Sequence, residues 1–237
     1  MARLAVTLID VGWGDSILIE SDTDAGDSHF ALVDCNDTSI SRSSYLYVKR
    51  HLERRGIDPD REAKLFDFVA LSHGHADHGS GIQAMMSEFG TEWFWYPKSV
   101  EFGGFAKLLS YANRYPQKVS RHQAVDSSKV LPDFGDVGLQ ALWPPHVPGG
   151  AFDPSNENNN SIVLALTLGE VSFLLTGDCE ASNWPSFVGD LSDLQGLTVF
   201  QVPHHGAVNG VFDHDGSTPW LDHIGTDVMI AMSSHIR

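Results

Sequence analysis

Residues 73–78 concentrate metal-ligand side chains in one short segment. Three histidines and one aspartate occupy six positions: His73, His75, Asp77 and His78. They follow an apolar run at 66–71 that predicts a short buried strand, so the cluster should lie just beyond the strand's C-terminal end. Buried imidazoles and carboxylates need partners, and a metal ion is a partner that several of them can share. The spacing favours two ions. We expect His73 and His75 to face one ion, and Asp77 and His78 to face the other.

Ligand-type residues directly follow an apolar strand at three further places: Asp34, Asp178 and the pair His204–His205. Strand ends at one edge of a fold are rigid supports for a shared site. Nitrogen and carboxylate ligands without thiolates favour Zn²⁺, Mn²⁺ or Fe, and imidazole favours Zn²⁺ among them. Two such ions about 3.5–4 Å apart lower the pKa of a shared water and clamp the attacking and leaving oxygens. The sequence therefore predicts hydrolysis by a hydroxide nucleophile.

Strand and helix signals surround these residues in an order that indicates two mixed sheets with helices outside. Strands are predicted at 3–10, 16–20, 30–35, 66–71, 92–96, 138–143, 161–168, 171–176, 197–202 and 227–232. Helices are predicted at 45–55, 79–89, 105–115, 181–188 and 218–224. The segment 144–160, rich in Pro, Gly and Asn, is expected to be a long loop. Loops of that length in compact domains tend to be functional or disordered.

The composition is that of an ordinary globular protein. The chain has 237 residues with 42% hydrophobic content, enough to bury a sizeable core, and we expect one domain over residues 1–237. No apolar run approaches the roughly 20 residues of a membrane span, and the N-terminus has no signal-peptide pattern. The two cysteines, Cys35 and Cys179, form no disulfide framework. These features predict a cytoplasmic protein without a membrane partner.

The formal net charge of −16 is distributed unevenly along the chain. Residues 1–129 hold 14 Lys and Arg against 18 Asp and Glu, a balance of −4, whereas residues 130–237 hold 1 against 13, a balance of −12. An acidic surface repels polyanions. The charge therefore disfavours nucleic acid as a partner without excluding a phosphodiester at the metal ions. Basic residues in 49–55 and 98–129 are the best candidates for contacting a polyanion.

The strand and loop at 66–78 resemble the signature segment of the metallo-β-lactamase superfamily, and within it the hydrolase domain of ComEC-type competence proteins. Further likeness lies, in family order, in IDVGWGDSILI (9–19), NNNSIVL (158–164), FLLTGD (173–178) and VPHHG (202–206). The resemblance implies an α/β fold of the α+β type. This is a four-layer αββα sandwich with two mixed β-sheets and outer helices. It also implies two divalent metal ions, Zn²⁺ or Mn²⁺.

The resemblance assigns roles by position. The implied metal ligands are His73 and His75 for the first ion, Asp77 and His78 for the second, Asp178 as the bridge, and His204. Of His204 and His205, one is expected to bind metal and the other to contact substrate or support a ligand. The implied catalytic residues are Asp77, His204 and His205. Supporting or substrate-contacting roles are expected for Asp15, Asp34, Asn159, Asn160, Ser161 and His205. Trp13, in a turn beside the site, is a further candidate for a substrate contact.

Two departures from the family pattern matter. Many superfamily enzymes have a third histidine for the first metal ion where this chain has ENNN at 157–160. Glu157, an asparagine, a water, His122 or His146 could take that place. Family members also usually continue past the last strand into another His–Pro pair, whereas residues 233–237 read SSHIR. Either a truncated chain or a different completion of the site is therefore expected.

Together these features predict a metal-dependent hydrolase that uses a metal-bridging hydroxide. The first expectation is a phosphodiesterase or nuclease-type activity on a nucleotide or nucleic acid. One alternative is hydrolysis of a small lactam, lactone or thioester. The other is a non-catalytic metal-binding sensor, for which the sequence defines no protein partner.

Overall fold

The computed structural model of this chain describes residues 1–58, 64–98, 103–187, 197–220 and 229–231. Its strands form two sheets. The first sheet contains β1 (Arg3–Leu8), β2 (Ile17–Asp22), β3 (Ser28–Val33), β4 (Phe66–Ala70), β5 (Thr91–Tyr96) and β6 (Val119–Ala124) in that order. The second sheet contains β7 (Gly138–Trp143), β8 (Val163–Leu168), β9 (Val171–Leu175), β10 (Leu197–Gln201) and β11 (Met229–Ala231).

Both sheets are mixed. In the first, β1, β2 and β3 pair antiparallel, and β3 to β6 pair parallel. Parallel neighbours need crossover connections, which here carry the helices α1 (Ser43–Arg55), α2 (Ala76–Gly79), α3 (Ile82–Phe89) and α4 (Phe105–Arg114). In the second, β7, β8 and β9 are antiparallel, whereas β9, β10 and β11 are parallel. The last described helix, α5 (Val208–Val211), follows β10.

Three apolar layers hold the sandwich together. Helices α1, α3 and α4 pack on the outer face of the first sheet, where Leu52 and Met86 are buried against its strands. Phe68 and Trp95 stack between the two sheets with their ring centroids 4.1 Å apart. Trp184 covers the outer face of the second sheet. The layering confirms the predicted αββα sandwich with two mixed sheets.

Glycine and aspartate residues beside helix α1 explain where it begins and ends. Helix α1 buries Val48 and Leu52 four residues apart, and it ends at Gly56, whose φ of 68° is a left-handed conformation that glycine adopts without strain. Its N-terminal amides are capped from outside the helix, because the Asp37 carboxylate accepts hydrogen bonds from Ser44 N and Tyr45 N, both at 2.9 Å.

The structure departs from the predicted elements at a few places. Strand β6 was not predicted, because its sequence VSRHQA is largely polar and it lies at the edge of the sheet. Residues 157–160, predicted as loop, form a single 3₁₀ turn, and the helix predicted at 181–188 is a 3₁₀ helix over Ala181–Ser186. Most of the helix predicted at 218–224 and the ends of the strand predicted at 227–232 lie outside the described residues. None of the described helices has the length and apolarity to cross a membrane.

The strand directions bring the ligand-type residues to one edge of the sandwich. Asp34 and the 72–79 segment follow β3 and β4, whose carboxyl ends lie side by side because these strands are parallel. Asp178 follows β9, and the His204–His205 pair follows the parallel strand β10. Chain segments that are distant in sequence therefore meet between the two sheets.

Candidate metal centre

The 72–79 segment turns sharply at the end of β4 and directs three imidazoles toward the space between the sheets. His73 and His78 are buried, whereas His75 is exposed. His73 Nε2 lies 3.0 Å from His75 Nδ1. The glycine turn at 12–14 makes room for this segment, because a Cβ at Gly14 would overlap the carbonyl oxygen of Asp77. Glycine is thus required at position 14 for two reasons: the Asp77 carbonyl oxygen lies where a Cβ would be, and the backbone φ is 85°.

Asp178 enters the same space from the second sheet. Its backbone amide donates to Ser161 Oγ at 3.1 Å, and the preceding Gly177 has a φ of 50°. Asp178 Oδ2 lies 3.5 Å from His73 Nε2, and Asp178 Oδ1 lies 3.5 Å from His78 Nε2. The two oxygens of one carboxylate therefore face two different groups of imidazoles, which is the arrangement expected of a bridging ligand.

The pair after β10 contributes two more imidazoles that face different groups. His204 and His205 have φ values of 51° and 54°, a left-handed conformation that costs non-glycine residues about 1–3 kcal/mol each. His205 Nε2 lies 3.2 Å from His78 Nε2 and 3.5 Å from Asp178 Oδ1. His204 Nε2 lies 3.7 Å from Asp178 Oδ2. The structure thus places His205 beside His78, whereas His204 faces the oxygen shared with His73.

Two candidate ligand sets result. The first set is His73 Nε2, the His75 imidazole and Asp178 Oδ2; the second set is His78 Nε2, His205 Nε2 and Asp178 Oδ1. Two ligand atoms bound at 2.0–2.1 Å to one tetrahedral zinc ion lie about 3.4 Å apart, close to the separations observed here. Asp178 Oδ1 is buried and accepts no hydrogen bond from the part of the chain that the structure describes, a costly state that a bound cation would relieve. The residues present therefore fit divalent metal ions.

Each histidine of the second set has a buried carboxylate behind it. His78 Nδ1 donates to Asp34 Oδ2 at 2.8 Å, and Asp34 also accepts from Ser72 N at 2.7 Å and Ser72 Oγ at 2.6 Å. His205 Nδ1 lies 3.4 Å from Asp15 Oδ1. Metal-binding histidines commonly donate their second N–H to a carboxylate, which leaves the other nitrogen bare for the metal. We therefore place Asp15 behind His205 rather than on the ion, although its oxygen lies within 4.8 Å of the second set's ligand atoms.

The electrostatics of the sets follow from burial and from these carboxylates. Burial and the neighbouring His78 hold the pKa of His73 well below its usual value. Burial alone would also lower the pKa of His78, but Asp34 and Asp178 outweigh it and raise that pKa well above the usual value. Burial raises the pKa of Asp34. Burial acts in the same direction on Asp178, but His78 and His73 hold its pKa below the usual range. Because metal ligands must be deprotonated, binding at the second set should release a proton from His78.

Several predicted site residues lie beside the sets rather than in them. Asp77 Oδ2 is 4.0 Å from His78 Nε2 at the edge of the second set, and its role as a ligand stays a prediction. Ser161 supports Asp178 through the bond to its amide. Asn159 Oδ1 accepts from Asn183 Nδ2 at 2.6 Å, and Asn160 Oδ1 accepts from Asp153 N at 3.0 Å. These two asparagine side chains shape the loop before β8.

The candidates for a third ligand of the first ion are also placed. His122 bonds Tyr96 Oη at 3.2 Å and Asn113 Oδ1 at 3.3 Å, and His146 Nδ1 bonds Asp126 Oδ2 at 2.9 Å. Neither belongs to a candidate ligand group within the described part of the chain. Glu157 is buried in the 3₁₀ turn before β8. His204, one of the two candidates for completing the second ion, faces the Asp178 oxygen that also faces His73, and its role as a ligand stays a prediction.

Three residues at the site were not fully recognised from the sequence. The side chain of Trp13 is 68% exposed, and its ring centroid lies 6.2 Å from that of His205. Its turn is held because Asn36 Nδ2 donates to Trp13 O. Ser72 donates two hydrogen bonds to Asp34, but in the sequence it is only a small residue before the histidines and it was not singled out. Gln201, which donates to Asp15 Oδ2 at 2.7 Å, was also missed. Its available signal was a lone polar residue inside an apolar strand.

Comparison with known proteins is consistent with this geometry. The family model of the metallo-beta-lactamase superfamily matches residues 5–213. ComE operon protein 3 of Bacillus subtilis (strain 168) is 25% identical over 209 residues, which cover 85% of this chain and 25% of that protein. The Escherichia coli (strain K12) protein YcaI, described as uncharacterized, is 26% identical over 168 residues, which cover 70% of this chain and 18% of that protein. This chain therefore spans a quarter or less of the length of these two relatives.

Solved structures give a more distant likeness. CmlA, a diiron beta-hydroxylase from Streptomyces venezuelae, superposes with a TM-score of 0.47 at 16% identity, covering 84% of this chain and 34% of that one. A point mutant of CmlA beta-hydroxylase superposes with a TM-score of 0.46 at 16% identity, covering 83% of this chain and 35% of that one.

Proposed function

The chain belongs to the metallo-beta-lactamase superfamily, and from that premise we propose that it is a hydrolase that cleaves phosphodiesters with two divalent metal ions, Zn²⁺ or Mn²⁺. The observation that carries the proposal is the position of Asp178, whose two oxygens each lie 3.5 Å from an imidazole of a different set. The first and second sets would each hold one ion, and Asp77 would complete the second. When bound, the ions supply a water of lowered pKa and positive charge for the reacting oxygens.

The protein's own residues prepare the site for this chemistry. Asp34 accepts a hydrogen bond from His78 Nδ1, and Asp15 Oδ1 lies 3.4 Å from His205 Nδ1, so both imidazoles present Nε2 to the second set. His204 is one-quarter exposed, with its side chain at 24%, and its buried Nδ1 has no hydrogen-bond partner among the described residues. Its position beside Asp178 suits it to touch the substrate and to donate a proton to the leaving oxygen.

Charge favours a small phosphodiester over a long polyanion. Among the described residues, the ion pairs of Asp15, Asp34 and Asp178 are all with histidines, not with lysine or arginine. Metal ions would therefore have to neutralise the phosphate. The net charge of −16 opposes the approach of nucleic acid. The exposed indole of Trp13 beside His205 offers a stacking face for a nucleobase or another planar ring. These features support a nucleotide-sized substrate.

The test is hydrolysis of bis(p-nitrophenyl) phosphate by metal-stripped protein that has been reloaded with Mn²⁺ or Zn²⁺. We expect turnover to depend on the metal and to fall to the uncatalysed rate in Asp178→Asn. The matched control is Asp126→Asn, since Asp126 is also a buried carboxylate bonded to a histidine, but it lies outside both sets. This control should retain turnover. Turnover that persists after the metal has been removed would contradict the proposal.

A second candidate function is hydrolysis of a small lactone, lactam or thioester. The combination that favours it is the acidic net charge and the apolar indole at the rim of the site. A substrate panel with reloaded protein separates the two candidates. Lactone turnover that exceeds phosphodiester turnover by orders of magnitude would replace the phosphodiester proposal. Tight metal binding without turnover on either class would favour a non-catalytic metal-binding module.

A further inference from the structure

Gln201 is a buried polar residue at the end of β10 that connects three segments of the candidate metal centre. Its Nε2 donates to Asp15 Oδ2 at 2.7 Å, and its Oε1 accepts from Thr176 N at 2.9 Å. Thr176 Oγ1 also donates to the backbone oxygen of Gln201 at 3.1 Å. Thr176 stands two residues before Asp178, and Gln201 itself stands four residues before His205. One side chain therefore touches the segments that carry Asp15, Asp178 and His205.

The bond to Asp15 determines which way that carboxylate faces. Asp15 is almost fully buried, and its Oδ2 is occupied by Gln201. The other oxygen, Oδ1, is the one that lies 3.4 Å from His205 Nδ1. Because a carboxylate is planar, anchoring one oxygen restricts the direction of the second. Gln201 thus orients Asp15, and Asp15 faces the histidine of the second set.

A comparison with the other histidine of the second set supports this interpretation. His78 is backed by Asp34, which is held by the amide and hydroxyl of Ser72. Ser72 immediately precedes the first histidine of its loop, and Gln201 lies three residues before His204. Both histidines therefore have a buried carboxylate behind them, and each carboxylate is anchored by a residue from the end of a strand. The difference is that Gln201 reaches from the second sheet to a turn of the first.

We propose that Gln201 is a positioning residue for the second metal ion, acting through Asp15 to direct His205 Nε2 at the ion. The inference rests on the proposed second set and concerns metal binding, not the identity of the substrate. An amide suits this place because it donates on one side and accepts on the other. Loss of the donor would free the Asp15 carboxylate and with it the imidazole that it faces.

Three substitutions separate the two hydrogen bonds. Gln201→Met removes both with little change in length. Gln201→Glu keeps an acceptor for Thr176 N but places a second carboxylate against Asp15. Gln201→Lys keeps a donor for Asp15 but removes the acceptor for Thr176 N. Calorimetric titration of the metal-stripped full chain with Zn²⁺ resolves the two binding steps. We expect the second step to weaken by about 10–100-fold in the Met and Glu variants, and to stay near wild type in the Lys variant.

The controls distinguish positioning from general stability. Thr91→Val removes a buried hydroxyl that bonds Trp93 O at 2.8 Å at the start of β5, the opposite end of the sheet from the site. It should lower the melting temperature and leave both binding steps unchanged. In an Asp15→Ala background, Gln201→Met should cause no further loss in the second step, because Gln201 acts through Asp15. The Glu and Lys pair keeps the test decisive if the Met variant does not fold.

Several results would overturn the inference. The first is an affinity of the second binding step that is unchanged in the Met and Glu variants. The second is a Lys variant that binds the second ion as weakly as the Met variant does. The third is a wild-type protein that binds only one ion. A further loss in the Asp15→Ala background would overturn it as well. Absence of phosphodiester turnover in a wild-type protein that binds two ions would defeat the proposed function alone and leave this inference intact.

Discussion

Replacement of Asp34 by asparagine should weaken binding of the second metal ion more than binding of the first. Asparagine has the same shape, and its oxygen can still accept from Ser72 N, which lies 2.7 Å from Asp34 Oδ1. Its amide nitrogen then takes the place of Oδ2, the atom that receives His78 Nδ1 at 2.8 Å. An amide nitrogen donates and cannot accept. His78 must therefore carry its proton on Nε2, which is the nitrogen that faces the second set.

The size of the effect follows from the buried hydrogen bond. To bind metal through Nε2, His78 in the variant must keep its proton on Nδ1 against an amide N–H. The other acceptors near Nδ1 are Ser72 Oγ at 3.4 Å and Asp15 Oδ2 at 4.0 Å, too distant for a strong hydrogen bond. Leaving a buried donor unsatisfied costs about 1–3 kcal/mol. Since every 1.4 kcal/mol is a factor of ten, the second ion should bind about 5–150-fold more weakly. The first set should lose less affinity, because Asp34 reaches His73 only indirectly, through Ser72 Oγ, which lies 3.0 Å from His73 Nδ1.

Calorimetric titration with Zn²⁺ measures both steps, and ¹⁵N spectroscopy of the metal-free variant reports which nitrogen of His78 carries the proton. The matched control is Asp37→Asn, another buried carboxylate, which accepts from Ser44 N and Tyr45 N at the start of α1. Losing such a cap costs about 0.5–2 kcal/mol of stability, and both binding steps should remain. An Asp34→Asn variant with two wild-type affinities, or with both steps weakened equally, would refute the reasoning.

Three further predictions concern the rim, the two late histidines and a carboxylate outside the site. Elemental analysis after dialysis should find one ion instead of two in His205→Ala, whereas His204→Ala should keep both ions and lose turnover; equal loss of metal in the two variants would contradict the assignment. Trp13→Ala should raise KM for aryl phosphodiesters about 5–150-fold, the equivalent of the 1–3 kcal/mol of a stacked base, with recovery in Trp13→Phe, and an unchanged KM would exclude stacking. Burial raises the pKa of Asp126, but Ser128 and His146 lower it more, to about 2 from 3.8. Because this folded pKa is depressed, the stabilisation is complete above pH 3.8 and is lost as the pH falls through 2. The difference in melting temperature between wild type and Asp126→Asn should therefore shrink across that window, and a constant difference would count against the ion pair.

Most of the strands could be predicted from sequence because they are apolar runs bounded by glycine, proline or charged residues. Strand β6 could not, since an edge strand whose side chains are mostly half-buried needs little apolar sequence. The sequence predicts a helix at 181–188. Tertiary packing of Trp184 against the second sheet holds it instead as a 3₁₀ helix that includes Pro185. Propensity is a weak guide where a buried aromatic side chain decides the backbone.

The sequence by itself determined which types of side chain stand at the candidate site. Ligand-type residues occur at three predicted strand ends: the 73–78 segment, Asp178 and the late histidine pair. A metal centre is the simplest explanation for such residues at those places. The sheet order then brought these segments together, as the predicted sandwich requires.

Only the tertiary structure decided the orientation of each group. Two adjacent histidines are equivalent as letters, but their left-handed backbone turns His205 toward His78 and His204 toward the first set. Likewise, the partner of Asp15 is Gln201, 186 positions away and on the other sheet. Such contacts depend on the direction of side chains at the meeting of two sheets. That direction is a property of the folded backbone, which no local pattern of residues encodes.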